Sequence, residues 1–188
     1  MNLLISRNQA IELLKKYNSD EKDFIHFLES EAIMRKLAEK LEEDIEYWAM
    51  LGLIHDIDWG LTKENSKNHL TKTPEILKKA GFDNEFISTI VSHGYGFDCA
   101  GLKNKKRTKK IEHALAAAET LTGLIHAYAL MRSKKISDME VAGLKKKFNN
   151  INLGLEKEWR EYKNPINYYL KKRENKEQRK FNESFADG

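Results

Sequence analysis

Between Asp20 and Leu41 the apolar residues Phe24, Phe27, Leu28, Ala32, Met34, Leu37, Ala38 and Leu41 recur at intervals of three and four. That period lines one face of an α-helix and cannot line a face of a strand. No alternating stretch elsewhere in the chain asks for a strand. Only two prolines, Pro74 and Pro165, interrupt the 188 residues, and Leu, Ala, Glu and Lys, which lose little on entering a helix, are abundant. The expectation is an all-α chain of a single domain, a helical bundle.

The remaining helices are read from their start and stop signals. Ser6 precedes a periodic segment at Ile11, Leu13 and Leu14, and Asn18-Ser19-Asp20 both stops it and caps the next helix. A third helix starts after Glu43 and is apolar on nearly every side through Ile54, hence central. A polar loop, DWGLTKENSKN, follows. Helices are then expected over about 68–80, stopped by Gly81, and over 83–93, stopped by Gly94. After a lysine-rich loop come a long helix over about 108–131 and two more over 137–148 and 155–170. The domain is placed at residues 1–170, and the charged tail 171–188 is expected to fray.

Composition excludes several classes. No window approaches the ~18 uninterrupted apolar residues of a membrane span. The N-terminal sequence lacks the basic, apolar and small-residue regions of an export signal, so a cytoplasmic location is expected. A net charge of +4 is too mild to name nucleic acid as a partner, though it favours anionic ligands. One cysteine, Cys99, allows neither an internal disulfide nor a thiolate zinc cluster. Any metal must be held by nitrogen and oxygen.

Those donors are present in a suggestive order: His26, the doublet His55-Asp56, His69, His93 and then Glu119. Imidazoles and carboxylates gathered from separate helices hold a divalent transition metal and leave positions open for water. Adjacent helical residues point ~100° apart, so His55 and Asp56 can share an ion only where their helix ends. Taken alone, His69 and His93 are more often surface or packing residues, and a His-Asp dipeptide is common by chance.

The stretches LGLIHDID, KNHLTKTPEILKKAGF and AAAETLTGLIHAYALMR make the pattern specific. Over roughly 24–148 the chain resembles a small-protein branch of the HD-domain superfamily of metal-dependent phosphohydrolases. The resemblance implies an HD-type helical bundle with His26, His55 and Asp56 as metal ligands and Glu119 where the family usually has aspartate. It also implies His69 and His93 as ligands of a second ion bridged by Asp56. Two departures stand against two ions: Gly94 follows His93 where another histidine is frequent, and Ile57-Asp58-Trp59-Gly60 occupies the region where a lysine is frequent. One or two ions remain open, as do manganese, iron, magnesium, nickel and zinc.

The implied activity is hydrolysis of a phosphate ester or anhydride, with a small nucleotide as the leading substrate class. Asp58, just past the doublet, is the candidate general base or water-orienting group, with a loop-capping carboxylate as its rival reading. Arg132 and Lys146 are candidates for a phosphate clamp, and the run Lys103 to Lys110 for gathering a phosphorylated ligand. Trp59 and Phe97 could stack on a base. The runner-up function is a metal- or nucleotide-binding regulatory module of the same fold without turnover, and a nucleic-acid adaptor is third. Whether the chain dimerises is not written in the sequence.

Overall fold

The computed structural model describes residues 3, 5–132 and 136–154. Among them there is no strand, and the helices are α1 (Arg7–Tyr17), α2 (Glu21–Leu41), α3 (Ile45–Ile54), α4 (Trp59–Thr62), α5 (Thr73–Lys79), α6 (Asn84–Val91), α7 (Lys110–Arg132) and α8 (Val141–Gly154). Contacts divide the chain into two compact units, Met1–Thr120 and Leu121–Gly188, with the boundary inside α7. The helix expected over 155–170 and the tail 171–188 lie outside the described residues. No helix among the described residues is long and apolar enough to cross a membrane.

The caps of α1 and α2 fall where the sequence put them. Ser6 and Gln9 form a reciprocal capping box on α1. Asp20, Asp44 and Asp83 accept backbone N–H bonds at the starts of α2, α3 and α6. In the first unit α3 is buried from Tyr47 to Ile54. It packs along α2, and Phe27 and Met34 of α2, Phe86 and Ile90 of α6 and Leu115 of α7 close over it. Each such side chain, fully buried, contributes about 1.5–3 kcal/mol relative to exposure. Two members of the predicted apolar face of α2, Leu28 and Leu41, are instead 41% exposed.

The close fit of α2 and α3 depends on Gly52. A Cβ there would lie 2.5 Å from the Ser30 carbonyl oxygen. With only hydrogen in that place, the backbones approach closely enough for His26 on α2 to meet His55 at the end of α3.

Between residues 55 and 73 the chain is more structured, and differently so, than the sequence predicts. The polar loop contains α4 and a 3-10 turn, Ser66–Asn68. The helix expected over 68–80 is shorter, Thr73–Lys79, because Leu70 sits in the left-handed region at φ 68°. The cause is Asp58, whose carboxylate takes the backbone N–H groups of Leu70, Lys72 and Thr73. It thus caps α5 from outside the helix, where Lys72 supplies no side-chain cap. Asn18 fixes the same turn from the other side, donating to the Ile57 carbonyl and accepting from Gly60 N–H at 2.7 Å.

At the far end, α6 gives way to a 3-10 turn, Ser92–Gly94, that carries His93. In the second unit a 3-10 turn, Ile136–Asp138, precedes α8, where the sequence predicted one helix over 137–148.

Candidate metal centre

Four imidazoles and one carboxylate meet in the first unit. His26 comes from the second turn of α2, His55 from the C-cap of α3, and Asp56 from the turn after it. His69 follows the Ser66–Asn68 turn, and His93 sits in the Ser92–Gly94 turn. Asp56 lies between two histidine pairs. Its Oδ2 is 3.6 Å from His26 Nε2 and 3.5 Å from His55 Nε2, and its Oδ1 is 3.2 Å from His69 Nε2 and 3.1 Å from His93 Nε2. Within each pair the Nε2 atoms stand 3.1 Å apart.

The ring orientations are set from behind. His55 Nδ1 is 2.9 Å from the Gly52 carbonyl and His93 Nδ1 is 2.7 Å from the Ile90 carbonyl. A carbonyl only accepts, so each Nδ1 carries a proton, and at His55, which burial keeps neutral, Nε2 presents a lone pair toward Asp56. His69 Nδ1 lies 3.1 Å from Asp58 Oδ1, and its ring meets Trp59 edge to face at 5.4 Å. Backing of this kind fixes the tautomer and raises the basicity of a metal-binding imidazole.

The donor set fits a divalent metal. An ion bonded to imidazole nitrogen at ~2.0–2.1 Å holds two such nitrogens ~3.0–3.4 Å apart, which is the spacing within each pair. Asp56 Oδ1 is buried and has no hydrogen-bond partner although two imidazoles surround it. Leaving such an oxygen unsatisfied costs free energy, and a cation removes the cost. The candidate ligand atoms form two triads, His26–His55–Asp56 and Asp56–His69–His93, each with its atoms within 4.8 Å of one another.

The electrostatics follow from burial and charge. Burial pushes the His55 imidazole down to about 3, so it is neutral. Burial opposes charge on His69 too, but Asp56 and then Asp58 outweigh it and raise that imidazole to about 10. Burial would raise the Asp56 carboxyl, yet the imidazoles of His55, His69 and His26 hold it well below its ordinary value. His26 is likewise lowered by burial and raised on balance by Asp56, with Glu119 adding to the effect.

Against this geometry the sequence reading is corrected at Asp58. Asp58 is 0% exposed, and both of its oxygens are occupied by His69 and three backbone N–H groups. No lone pair is left facing water, so the carboxylate positions His69 and does not serve as a general base. Glu119, half-buried on α7, stands outside both triads; it accepts a hydrogen bond from the Thr120 hydroxyl, and its charge bears on His26 and Arg107. On α7 Arg132 lies over the Tyr128 ring, and on α8 Lys146 is exposed.

Sequence reasoning missed Arg107 and Gly52. Arg107 donates to the His93 carbonyl from within the basic run. Its signal was one guanidinium among the five lysines of the run Lys103 to Lys110. At Gly94 a Cβ would lie 2.5 Å from a Leu70 methyl, so a side chain there would require Leu70 to shift.

The family model of the HD domain matches residues 23–121, more than half of the chain. The chain belongs to the HD-domain family. The match begins one turn before His26 and ends just after Glu119, so it contains every residue of both triads. Members of this family are mostly metal-dependent hydrolases. No solved structure matches the chain.

Proposed function

We propose that this HD-domain protein is a metal-dependent phosphohydrolase holding two divalent ions, with a nucleotide phosphate ester or anhydride as substrate. The observation that carries the reading is the division of one carboxylate between two histidine pairs, with Asp56 Oδ2 toward His26 and His55 and Oδ1 toward His69 and His93. Glu119 supplies further negative charge on the His26 side. A pair of divalent ions, when bound, supplies Lewis acidity and makes water nucleophilic near neutral pH.

The chain's own residues prepare the site. The Gly52 and Ile90 carbonyls and the Asp58 carboxylate hold three imidazoles in the tautomer and direction that binding needs. Burial of His55 and His93 keeps bulk water from the centre, so charge interactions within it are stronger than at the surface. The ions remain manganese, iron, magnesium, nickel or zinc, since a mixed nitrogen and oxygen set suits several.

The test is turnover of p-nitrophenyl phosphate and bis(p-nitrophenyl) phosphate by metal-loaded wild type and Asp56→Ala. Turnover that disappears together with bound metal in the variant supports the reading. Metal retained by wild type without turnover of these esters or of nucleotides turns it to a binding module.

A further inference from the structure

The loop over residues 95–109 forms one side of the metal centre, and it is built. Leu102 N–H bonds to the Cys99 carbonyl at 2.8 Å, Lys105 N–H to Leu102 at 2.9 Å, and Gly96 N–H to Leu102 at 3.2 Å. Ala100 N–H reaches across to the Lys67 carbonyl at 3.0 Å, while Cys99 and Leu102 pack on Leu70 beside His69. At its other end Arg107 donates to the backbone carbonyl of His93. One loop is therefore tied to the backbone next to both histidines of one triad.

Its charges are not used up by the fold. Lys109 pairs with Glu85 and Lys110 with Glu43. Lys103, Lys105 and Lys106 are exposed, and among the described residues none of the three is engaged in an ion pair. From Arg107 back to Lys103 the chain spans at most about 14 Å even fully extended, so the backbone of all three lysines lies within that reach of the residue tied to His93. The same loop presents Phe97 with 55% of its surface exposed, its N–H bonded to the Gly94 carbonyl.

We propose that Lys103, Lys105 and Lys106 form a subsite for the outer phosphate groups of a nucleoside di- or triphosphate, with Phe97 as a stacking surface for its base. The proposal rests on the phosphohydrolase reading for the position of the reacting phosphate. Exposed ammonium groups contact phosphate with a smaller desolvation cost than buried ones, and an aromatic face accepts any base. Three lysines within four residues match a short phosphate chain better than an extended nucleic-acid backbone, which needs a longer charged track.

The test measures binding of ADP, AMP and inorganic phosphate by calorimetry to the full chain, metal-loaded and metal-free, in low and in moderate salt. The variants are Lys103→Ala/Lys105→Ala/Lys106→Ala and Phe97→Ala. The expected result is ADP binding roughly tenfold weaker in the triple variant, the combined effect of three exposed charge contacts, with a flatter salt dependence and AMP nearly unchanged. Phe97→Ala weakens ADP and AMP alike and leaves inorganic phosphate as it was. Equal ADP affinity in wild type and triple variant overturns the proposal, as does a single-stranded oligonucleotide that outcompetes ADP through the same lysines. Metal content of the triple variant, expected to equal that of wild type, and p-nitrophenyl phosphate turnover by wild type report on the parent reading separately. The metal-free titration decides the lysine subsite even if turnover is never found.

Discussion

Replacing Asp58 with Asn separates a scaffold carboxylate from a catalytic one. Oδ1 accepts from His69 Nδ1 at 3.1 Å and Leu70 N–H at 3.2 Å, and Oδ2 accepts from Lys72 and Thr73 N–H at 3.0 and 3.1 Å. A carboxamide has one acceptor oxygen, so whichever way it turns, its NH2 faces two donors. Two charge-assisted bonds at ~1.5–3 kcal/mol each are lost, about 3–6 kcal/mol in all. That is a large share of the ~5–15 kcal/mol that stabilises a domain. Because the same carboxylate orients His69, metal affinity of the His69–His93 half should also fall, by roughly 10–100-fold. Urea unfolding followed by circular dichroism reads the first effect and metal titration the second. Unchanged stability and metal affinity together with abolished turnover would refute the reasoning and return Asp58 to the role of a base.

Three further outcomes are expected. Gly52→Ala puts a Cβ 2.5 Å from the Ser30 carbonyl oxygen; thermal unfolding should show a loss of about 1–3 kcal/mol, and elemental analysis a selective loss of metal from the His26–His55 half. Burial would raise the Glu112 carboxyl, but N–H bonds from Lys109 and Thr108 at the start of α7 hold it below its ordinary value. Its stabilising effect is therefore present above the unfolded pKa of ~4.3 and is lost as pH falls through the folded value, so Glu112→Gln should flatten the acid limb of a stability-versus-pH curve, and an unaltered limb contradicts this. With His69 raised to about 10 in the ion-free protein, metal entering that half at pH 7 should release about one proton. Calorimetry in two buffers of different ionisation enthalpy measures it, and zero release would contradict the assigned charge.

Helices whose faces repeat every three or four residues and whose caps are Ser or Asp were legible in the sequence, because the signals that make them are local. The order of the histidines and Asp56 was visible too, and the fold brings these side chains together. The turn from residue 58 to 73 was not, since its shape depends on one carboxylate reaching fifteen residues along the chain to Thr73, and no local propensity records that. Asp58 was misassigned for the same reason: proximity to the doublet is visible in sequence, but occupation of both oxygens by backbone donors is not. Gly52 reads as an ordinary weak point in a helix until the Ser30 carbonyl is seen against it. Arg107 could not be told from its lysine neighbours without the His93 carbonyl beside it.

The central claim is that Asp56 joins two metal sites. Elemental analysis of protein purified without chelator or histidine tag, then equilibrated with manganese, iron or zinc, tests it most directly across wild type, His55→Ala, His93→Ala and Asp56→Ala. The account predicts two equivalents in wild type, one in each histidine variant and none in Asp56→Ala. Full metal content in Asp56→Ala, or an empty wild type, would contradict it.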